Sequence, residues 1–155
     1  MTALTLEAQV TRLAAIEDIK QLKARYAEYC DNGYDPDGIA RLFVEDGVWD
    51  GGPGYGRHEG RASISAFFSR LSNDVALAAH LSMNPIIEMN GDGATGRWRL
   101  LCPYTLATEG GEQARWILAQ YDEIYEKHGE RWLYRALNVN VNFDALHQLG
   151  WVRTS

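Results

Sequence analysis

The stretch Gly96-Arg97-Trp98-Arg99-Leu100-Leu101-Cys102-Pro103-Tyr104-Thr105-Leu106 has a repeat of two residues. Its even-numbered positions from Trp98 onward are apolar or aromatic, and Arg97 and Arg99 flank Trp98. This alternation predicts a β-strand with one buried face. Similar patterns predict strands near residues 79–84, 115–125 and 132–143. Short turn sequences at Asn90–Gly93, Gly110–Gly111 and His128–Gly129 separate them, which favours an antiparallel meander.

The first half of the chain has a helical repeat instead. Apolar residues recur in steps of three and four between Thr5 and Asp31, which predicts one long helix. Asp35-Pro36 predicts the start of a second helix carrying Leu42 and Phe43, and a third is expected at about 61–71. A short strand near 47–50 and a glycine-rich flap at 51–56 lie between them. The order predicts an α+β fold in which three N-terminal helices pack on a curved antiparallel sheet.

Composition limits the class of protein. The chain has 155 residues, 46% of them hydrophobic, and no linker, so we expect one domain over residues 1–155. The net charge of −6 argues against nucleic-acid and membrane-surface partners. No signal-peptide pattern and no run of roughly 20 apolar residues is found, which predicts a cytoplasmic protein. Cys30 and Cys102 have no metal-ligand spacing, so we expect buried, reduced thiols and no metal site.

Several segments together resemble the SnoaL-like branch of the nuclear transport factor 2-like superfamily. They are the first helix at 16–26, the stretch Leu42–Trp49, the Gly60-Arg61 helix start, Asn84–Ile87, Ala94–Trp98, and Tyr125-Glu126 followed by Gly129–Trp132. The resemblance implies a cone-shaped, cystatin-like fold that is open at one end. It also implies a homodimer or homotrimer. The fold alone does not fix the function, because it is shared by enzymes and by non-catalytic binding proteins.

Within this family, the chain is most similar to the bile-acid dehydratase and scytalone dehydratase type. That resemblance implies three catalytic residues: Tyr26, Asp31 at the end of the first helix, and His80 on the first long strand. Histidine is suited to removing a proton beside a carbonyl, Asp31 would orient its ring, and Tyr26 would bind a substrate oxygen. Cys102 departs from the family pattern, which has an acidic residue on this strand.

Further residues are candidates for a substrate pocket. The aromatic candidates are Trp49, Tyr55, Trp98, Trp116 and Tyr121, and each of them also fits a plain core position. Cys102 joins this set. Asn138 and Asn140 share one face of the last strand, where asparagine is unusual. They fit either a solvent-facing row or a polar pocket wall, and we expect the pocket wall because Trp132 and Tyr134 precede them at the same period.

No phosphate-binding, dinucleotide-binding or metalloprotease motif is found, so we expect no cofactor. The favoured function is a cofactor-independent dehydratase or isomerase that acts on a small, largely apolar cyclic carbonyl or hydroxyl compound. The alternative is a non-catalytic binding module with the same fold. We expect oligomerisation through Trp98, Trp116 and the Val139/Val141/Phe143 row. Leu146, Leu149 and Trp151 predict an apolar tail that closes the pocket or docks on a neighbouring subunit.

Overall fold

The computed structural model describes residues 3–148, which contain three α-helices, a 3-10 turn and seven strands. The helices are α1 (Leu6–Asp31), α2 (Pro36–Ala40) and α3 (Arg61–Asp74). The strands are β1 (Phe43–Asp50), β2 (Arg57–Glu59), β3 (Val75–Ala78), β4 (Leu81–Asn90), β5 (Gly93–Thr108), β6 (Gly111–His128) and β7 (Arg131–Leu146). No helix among residues 3–148 is long and apolar enough to cross a membrane.

The strands form one curved sheet in the order β2-β1-β7-β6-β5-β3, and β4 also pairs with β5. The predicted α+β class is confirmed. The sheet is mixed rather than wholly antiparallel, because β1 runs parallel to β7. Most of the chain lies between these two strands in sequence, so no short turn dictates their relative direction. The other strand pairs are antiparallel.

Local sequence explains where the helices begin and end. The Thr5 hydroxyl accepts a hydrogen bond from the Ala8 amide, and the Asp35 carboxylate accepts one from the Gly38 amide, so both side chains are N-caps. The second helix is shorter than predicted: it ends at Ala40, and Phe43 begins β1. The hydrogen bond from the Tyr134 amide to the Leu42 carbonyl draws this segment into the sheet instead.

The concave face of the sheet carries the core. Along β5 the side chains of Trp98, Leu100, Cys102 and Tyr104 are buried, whereas the residues between them remain half-exposed or exposed. The helices cover this face: α1 contributes Ile19, Leu22, Tyr26 and Cys30, and α3 contributes Ile64, Phe67 and Phe68. The period of two in the opening stretch therefore sets which side chains face the interior.

A bulge in β7 reverses this alternation at a position that matters for the site. Tyr125 of β6 pairs with Tyr134, but the next residue back, Ile124, pairs with Ala136, so Arg135 is an extra residue. Tyr134 and Leu137 are consequently both buried in the interior. Asn138 then pairs with Asp122 on the convex face of the sheet.

A buried ion pair joins α1 to the sheet. The Lys23 ammonium lies 2.5 Å from one carboxylate oxygen of Glu123 on β6, and both side chains are about 1% exposed or less. The other carboxylate oxygen accepts a short hydrogen bond from the Tyr125 hydroxyl, which in turn accepts one of 3.0 Å from Trp98 Nε1. The ammonium also lies 3.1 Å from the centroid of the Tyr121 ring. Burial lowers the pKa of Lys23, and Glu123 opposes this effect.

Replacement of Lys23 by Met should lower the free energy of unfolding by about 3–5 kcal/mol, because Glu123 would remain buried without its cation. Urea denaturation followed by circular dichroism measures this loss. The double variant Lys23→Met/Glu123→Gln removes both charges and keeps an acceptor for Tyr125. It should recover most of the loss. If the double variant were as unstable as Lys23→Met, an unpaired charge would not be the cause.

Candidate active site

A cavity lies between the concave face of the sheet and the helices, and it is lined almost entirely by aromatic and aliphatic side chains. The space between the lining atoms, including the open mouth, is about 560 Å³. A wider groove continues outward from the mouth beneath the Gly51–Gly56 flap. The lining side chains are Tyr26, Tyr34, Trp49, Tyr55, Phe68, Leu71, Val75, His80, Leu100, Cys102, Tyr104, Ile117, Tyr121, Val139 and Val141.

His80 and Asp31 form a hydrogen-bonded pair at the wall of this cavity. His80 Nδ1 lies 2.7 Å from Asp31 Oδ1. The same carboxylate accepts the backbone N–H of His80, at 2.9 Å to Oδ1 and 3.2 Å to Oδ2. The His80 side chain is 10% exposed and that of Asp31 is 34% exposed. The carboxylate therefore holds both the ring and the main chain of His80.

His80 does not lie on a strand, contrary to the prediction from alternation. It occupies the short connection between β3, which ends at Ala78, and β4, which begins at Leu81. The preceding amide, that of Ala79, donates to the Pro103 carbonyl of β5. The His80 amide is thus free of the strand ladder and can turn to Asp31 at the end of α1.

The pair fixes which ring nitrogen of His80 can accept a proton. Because a carboxylate only accepts hydrogen bonds when ionised, the hydrogen bond to Asp31 assigns the ring proton to Nδ1. In the neutral imidazole, Nε2 is then the nitrogen without a proton. It has no hydrogen-bond partner among residues 3–148, and His80 lines the cavity. The arrangement places a proton acceptor against an apolar space.

The Tyr26 hydroxyl accepts a hydrogen bond of 2.9 Å from Trp49 Nε1. It also interacts with the thiol of Cys30. Burial raises the pKa of Tyr26 well above its ordinary value, so the phenol keeps its proton. Tyr26 is therefore a neutral hydrogen-bond donor in the cavity wall, and Trp49 fixes the position of its oxygen.

The structure brings some of the predicted pocket residues together and separates others. Trp49, Tyr55, Cys102 and Tyr121 line the cavity with Tyr26 and His80. Trp98 lies in the core beside the Lys23–Glu123 pair, where its indole N–H is bonded to Tyr125. Four residues predicted for the cavity wall do not line it: Trp98, Trp116, Asn138 and Asn140. Of these, Asn140 lines the wider groove outside the mouth.

The corrected residues on the convex face follow from strand register. Trp116 of β6 alternates with Ile117, which lines the cavity, so it points outward and donates to His147. The Arg135 bulge turns Asn138 outward as well, and its side chain donates to the Asp122 carbonyl. Asn140 donates to the Asp122 carboxylate. This is the solvent-facing row that the alternation also allowed.

Two hydroxyl-bearing cavity residues were absent from the sequence-based set of site residues. Tyr34, which follows the first helix, is 6% exposed and stacks on Phe68. Tyr104 lies at the mouth, where its hydroxyl donates to Asp144 at 2.7 Å and accepts from Arg115 at 3.0 Å. For Tyr104 the signal was present, because it shares the alternation of Leu100 and Cys102. For Tyr34 there was none beyond its position after the first helix.

Among residues 3–148, no group of three or more His, Cys, Asp or Glu side chains is placed to hold a metal ion. Of the residues predicted to form an apolar tail, Leu146 ends β7, whereas Leu149 and Trp151 lie outside the described residues. The expected docking role of the tail therefore stays a prediction.

Known proteins of the same fold are similar to this chain. The family model described as a SnoaL-like domain matches residues 11–138. A hexachlorocyclohexane dehydrochlorinase (LinA) of type 2 is similar, with a TM-score of 0.81, 22% identity and coverage of 95% of this chain and 97% of that one. The LinA-type3 enzyme from Novosphingobium barchaimii has a TM-score of 0.80 and 22% identity, with coverage of 95% of this chain and 98% of that one.

A candidate scytalone dehydratase from Novosphingobium aromaticivorans is also similar, with a TM-score of 0.79, 20% identity and coverage of 95% of each chain. At these identities the likeness concerns the fold alone. No curated protein sequence matches the chain.

The thiol of Cys102 should be almost inert although it lines the cavity. Burial raises its pKa to about 12, so little thiolate is present near neutral pH. Iodoacetamide at pH ~8 should modify Cys102 about a thousandfold or more slowly in the folded protein than in urea. Mass spectrometry over time measures both rates. Equal rates would show that the cavity does not shield this thiol.

Proposed function

Since the chain belongs to the SnoaL-like domain family, we propose that it is a cofactor-independent lyase or isomerase, with dehydration as the favoured reaction. The observation that carries the proposal is the His80–Asp31 pair at the wall of an aromatic cavity. A base held in one tautomer and facing an apolar cavity is the arrangement that proton abstraction from carbon needs.

The lining of the cavity supports the class of substrate. Aromatic rings and aliphatic side chains favour a compact, largely apolar ring compound. The few polar groups are His80, the tyrosine hydroxyls and the Cys102 thiol, and all of these suit a carbonyl or hydroxyl rather than a phosphate. Among the residues that the structure describes, no lysine or arginine lines the cavity, which argues against an anionic substrate.

In the proposed mechanism, His80 Nε2 takes a proton from a carbon next to the substrate carbonyl. The electron pair of the broken C–H bond moves into an enolate, whose oxygen accepts a hydrogen bond from Tyr26. Asp31 stabilises the imidazolium formed at His80. In dehydration the enolate expels a neighbouring hydroxide, which takes the proton from the imidazolium and leaves as water. In isomerisation the same proton returns to a different carbon.

The names of the structural relatives support an elimination. Dehydrochlorination and dehydration both remove a proton from one carbon and a leaving group from its neighbour. A single base beside an apolar cavity serves either reaction. The identity of the leaving group depends on the substrate, and hydroxide is the choice that fits the scytalone dehydratase likeness stated above.

The alternative is a non-catalytic module that binds a small molecule in the same cavity. Cys102 favours this alternative, since it places a neutral, unreactive thiol where the resemblance implies an acidic group. Both functions use the cavity, and they differ in whether the bound compound is consumed.

The convex face of the sheet supports a homo-oligomer. Strand register places Leu81, Leu101, Leu118 and Phe143 in one row across β4, β5, β6 and β7. Leu81 is 49% exposed, and Leu101 and Leu118 are half-exposed. Trp116 also belongs to this face, whereas Trp98 is in the core and Val139 and Val141 line the cavity, which corrects the surface expected from sequence. We propose that a second copy of the chain covers this row.

The activity prediction uses an untargeted screen in which a metabolite extract is incubated with the protein and followed by mass spectrometry. At least one cyclic carbonyl or hydroxyl compound should be consumed. On that compound His80→Ala should lose about 10²–10⁴-fold in turnover, because a positioned base is gone. Asp31→Asn should lose activity too, since an amide does not stabilise the imidazolium.

His128→Ala, which removes a surface histidine bonded to Glu126, is the matched control and should keep full turnover. Circular dichroism checks that every variant is folded. A folded His80→Ala protein with unchanged turnover would remove His80 from the mechanism. Binding of a compound without its consumption would instead favour the binding module.

The assembly prediction concerns the same protein in solution. Light scattering at micromolar concentration should give a mass at least twice that of the 17.4 kDa chain. Leu118→Arg should reduce it to one chain, because a buried, unpaired charge would oppose association. Leu13→Arg, on an exposed position of α1, is the control. A single-chain mass for the unmodified protein would contradict the proposal.

A further inference from the structure

Tyr34 combines two features that are unfavourable for a residue with no role. Its backbone has φ of +57°, in the left-handed region that side-chain-bearing residues rarely adopt. Its phenol is 6% exposed, yet the hydroxyl has no hydrogen-bond partner among residues 3–148. Strained backbone of this kind is concentrated at functional sites, where the surrounding structure holds it in place.

The local structure explains how this conformation is held. After α1 ends, Gly33 also has positive φ, and the Tyr34 amide donates to the Cys30 carbonyl at 3.1 Å. The next amide, of Asp35, donates to the Tyr29 carbonyl at 3.1 Å. These two bonds close the helix end and turn the Tyr34 side chain inward.

The inward-turned ring lies between Phe68 and the proposed base. It stacks on Phe68 with 5.9 Å between centroids and an interplanar angle of 15°. On another side it meets the His80 imidazole edge-on, at 5.9 Å and 84°. Tyr34 lines the cavity together with Cys102 and Tyr55. The phenol therefore extends along the cavity wall next to His80.

Tyr34 differs from the other tyrosines of the cavity, whose hydroxyls have partners or whose rings lie away from His80. Tyr26 is bonded to Trp49 and interacts with Cys30, and Tyr104 is bonded to Asp144 and Arg115. Tyr121 has its ring against the Lys23 ammonium rather than beside His80. Among residues 3–148, Tyr34 is the one tyrosine that both contacts the His80 ring and has a hydroxyl without a hydrogen-bond partner. Burial raises its pKa, so it remains a donor.

We propose that Tyr34 is a second hydrogen-bond donor of this site and that its hydroxyl binds the substrate oxygen beside His80. The proposal rests on the proposed function, because it needs a small ring compound with an oxygen substituent in the cavity. Tyr34 and Tyr26 would then both donate hydrogen bonds to the substrate oxygen, from the same cavity wall as His80. The residue would set the preference for oxygenated rings over hydrocarbon rings of equal size.

The test uses two probes of nearly equal shape, 4-chlorophenol and 4-chlorotoluene, titrated into the protein and followed by NMR. The unmodified protein should bind the phenol more tightly. Tyr34→Phe should weaken binding of 4-chlorophenol about tenfold, as expected for one lost hydrogen bond, and leave 4-chlorotoluene unchanged. This variant keeps the ring and therefore its packing on Phe68.

Tyr29→Phe is the matched control, because Tyr29 lies in the last turn of α1, close to Tyr34 in sequence, but does not line the cavity. It should bind both probes like the unmodified protein, and thermal unfolding checks that both variants are folded. If Tyr34→Phe binds the phenol normally, or if the unmodified protein does not distinguish the probes, the role of Tyr34 is wrong and the proposed function stands. If neither probe binds the unmodified protein, the proposed function fails and the inference fails with it.

Discussion

The ion pair between Lys23 and Glu123 is the contact on which the position of the site depends. It fixes the middle of α1 against β6, and the same helix carries Tyr26 one turn later and Asp31 at its end. Because α1 is a rigid rod over this length, its rotation and height at Lys23 set where those two side chains stand relative to the sheet. The cavity is the space left beyond this contact, with the Tyr121 ring as the shared wall.

A buried pair of this kind is tolerated only when nearly all of its polar atoms have partners. The Glu123 carboxylate accepts hydrogen bonds from Lys23 and Tyr125, and the Tyr125 hydroxyl accepts one from Trp98. The Tyr121 ring faces the Lys23 ammonium. Two charges in the core contribute little net stability by themselves, but a shifted helix would leave both unpaired. We therefore infer that the pair selects one register of α1 on the sheet, which a purely apolar contact would specify less sharply.

The sequence predicted what depends on local period and caps, and it could not predict what depends on register. Alternation along β5 correctly placed Cys102 on the inner face, and Asp35 was correctly predicted to cap α2. The extra residue Arg135 has no signature in the sequence, yet it moves Asn138 and Asn140 to the outer face. The parallel pairing of β1 with β7 likewise arises from tertiary contacts.

Among the described residues that line the cavity, His80 is the candidate for proton transfer in the proposed reaction. Burial raises the pKa of Tyr26, Tyr34 and Tyr121, so these phenols donate hydrogen bonds but do not give up protons near neutral pH. The Cys102 thiol is held neutral for the same reason. Asp31 lies at the end of α1, where the helix dipole disfavours an anion, and it is compensated by the two N–H groups of His80. Its charge is therefore directed at the imidazole, and in the proposed reaction His80 Nε2 is the atom that takes the proton from the bound compound.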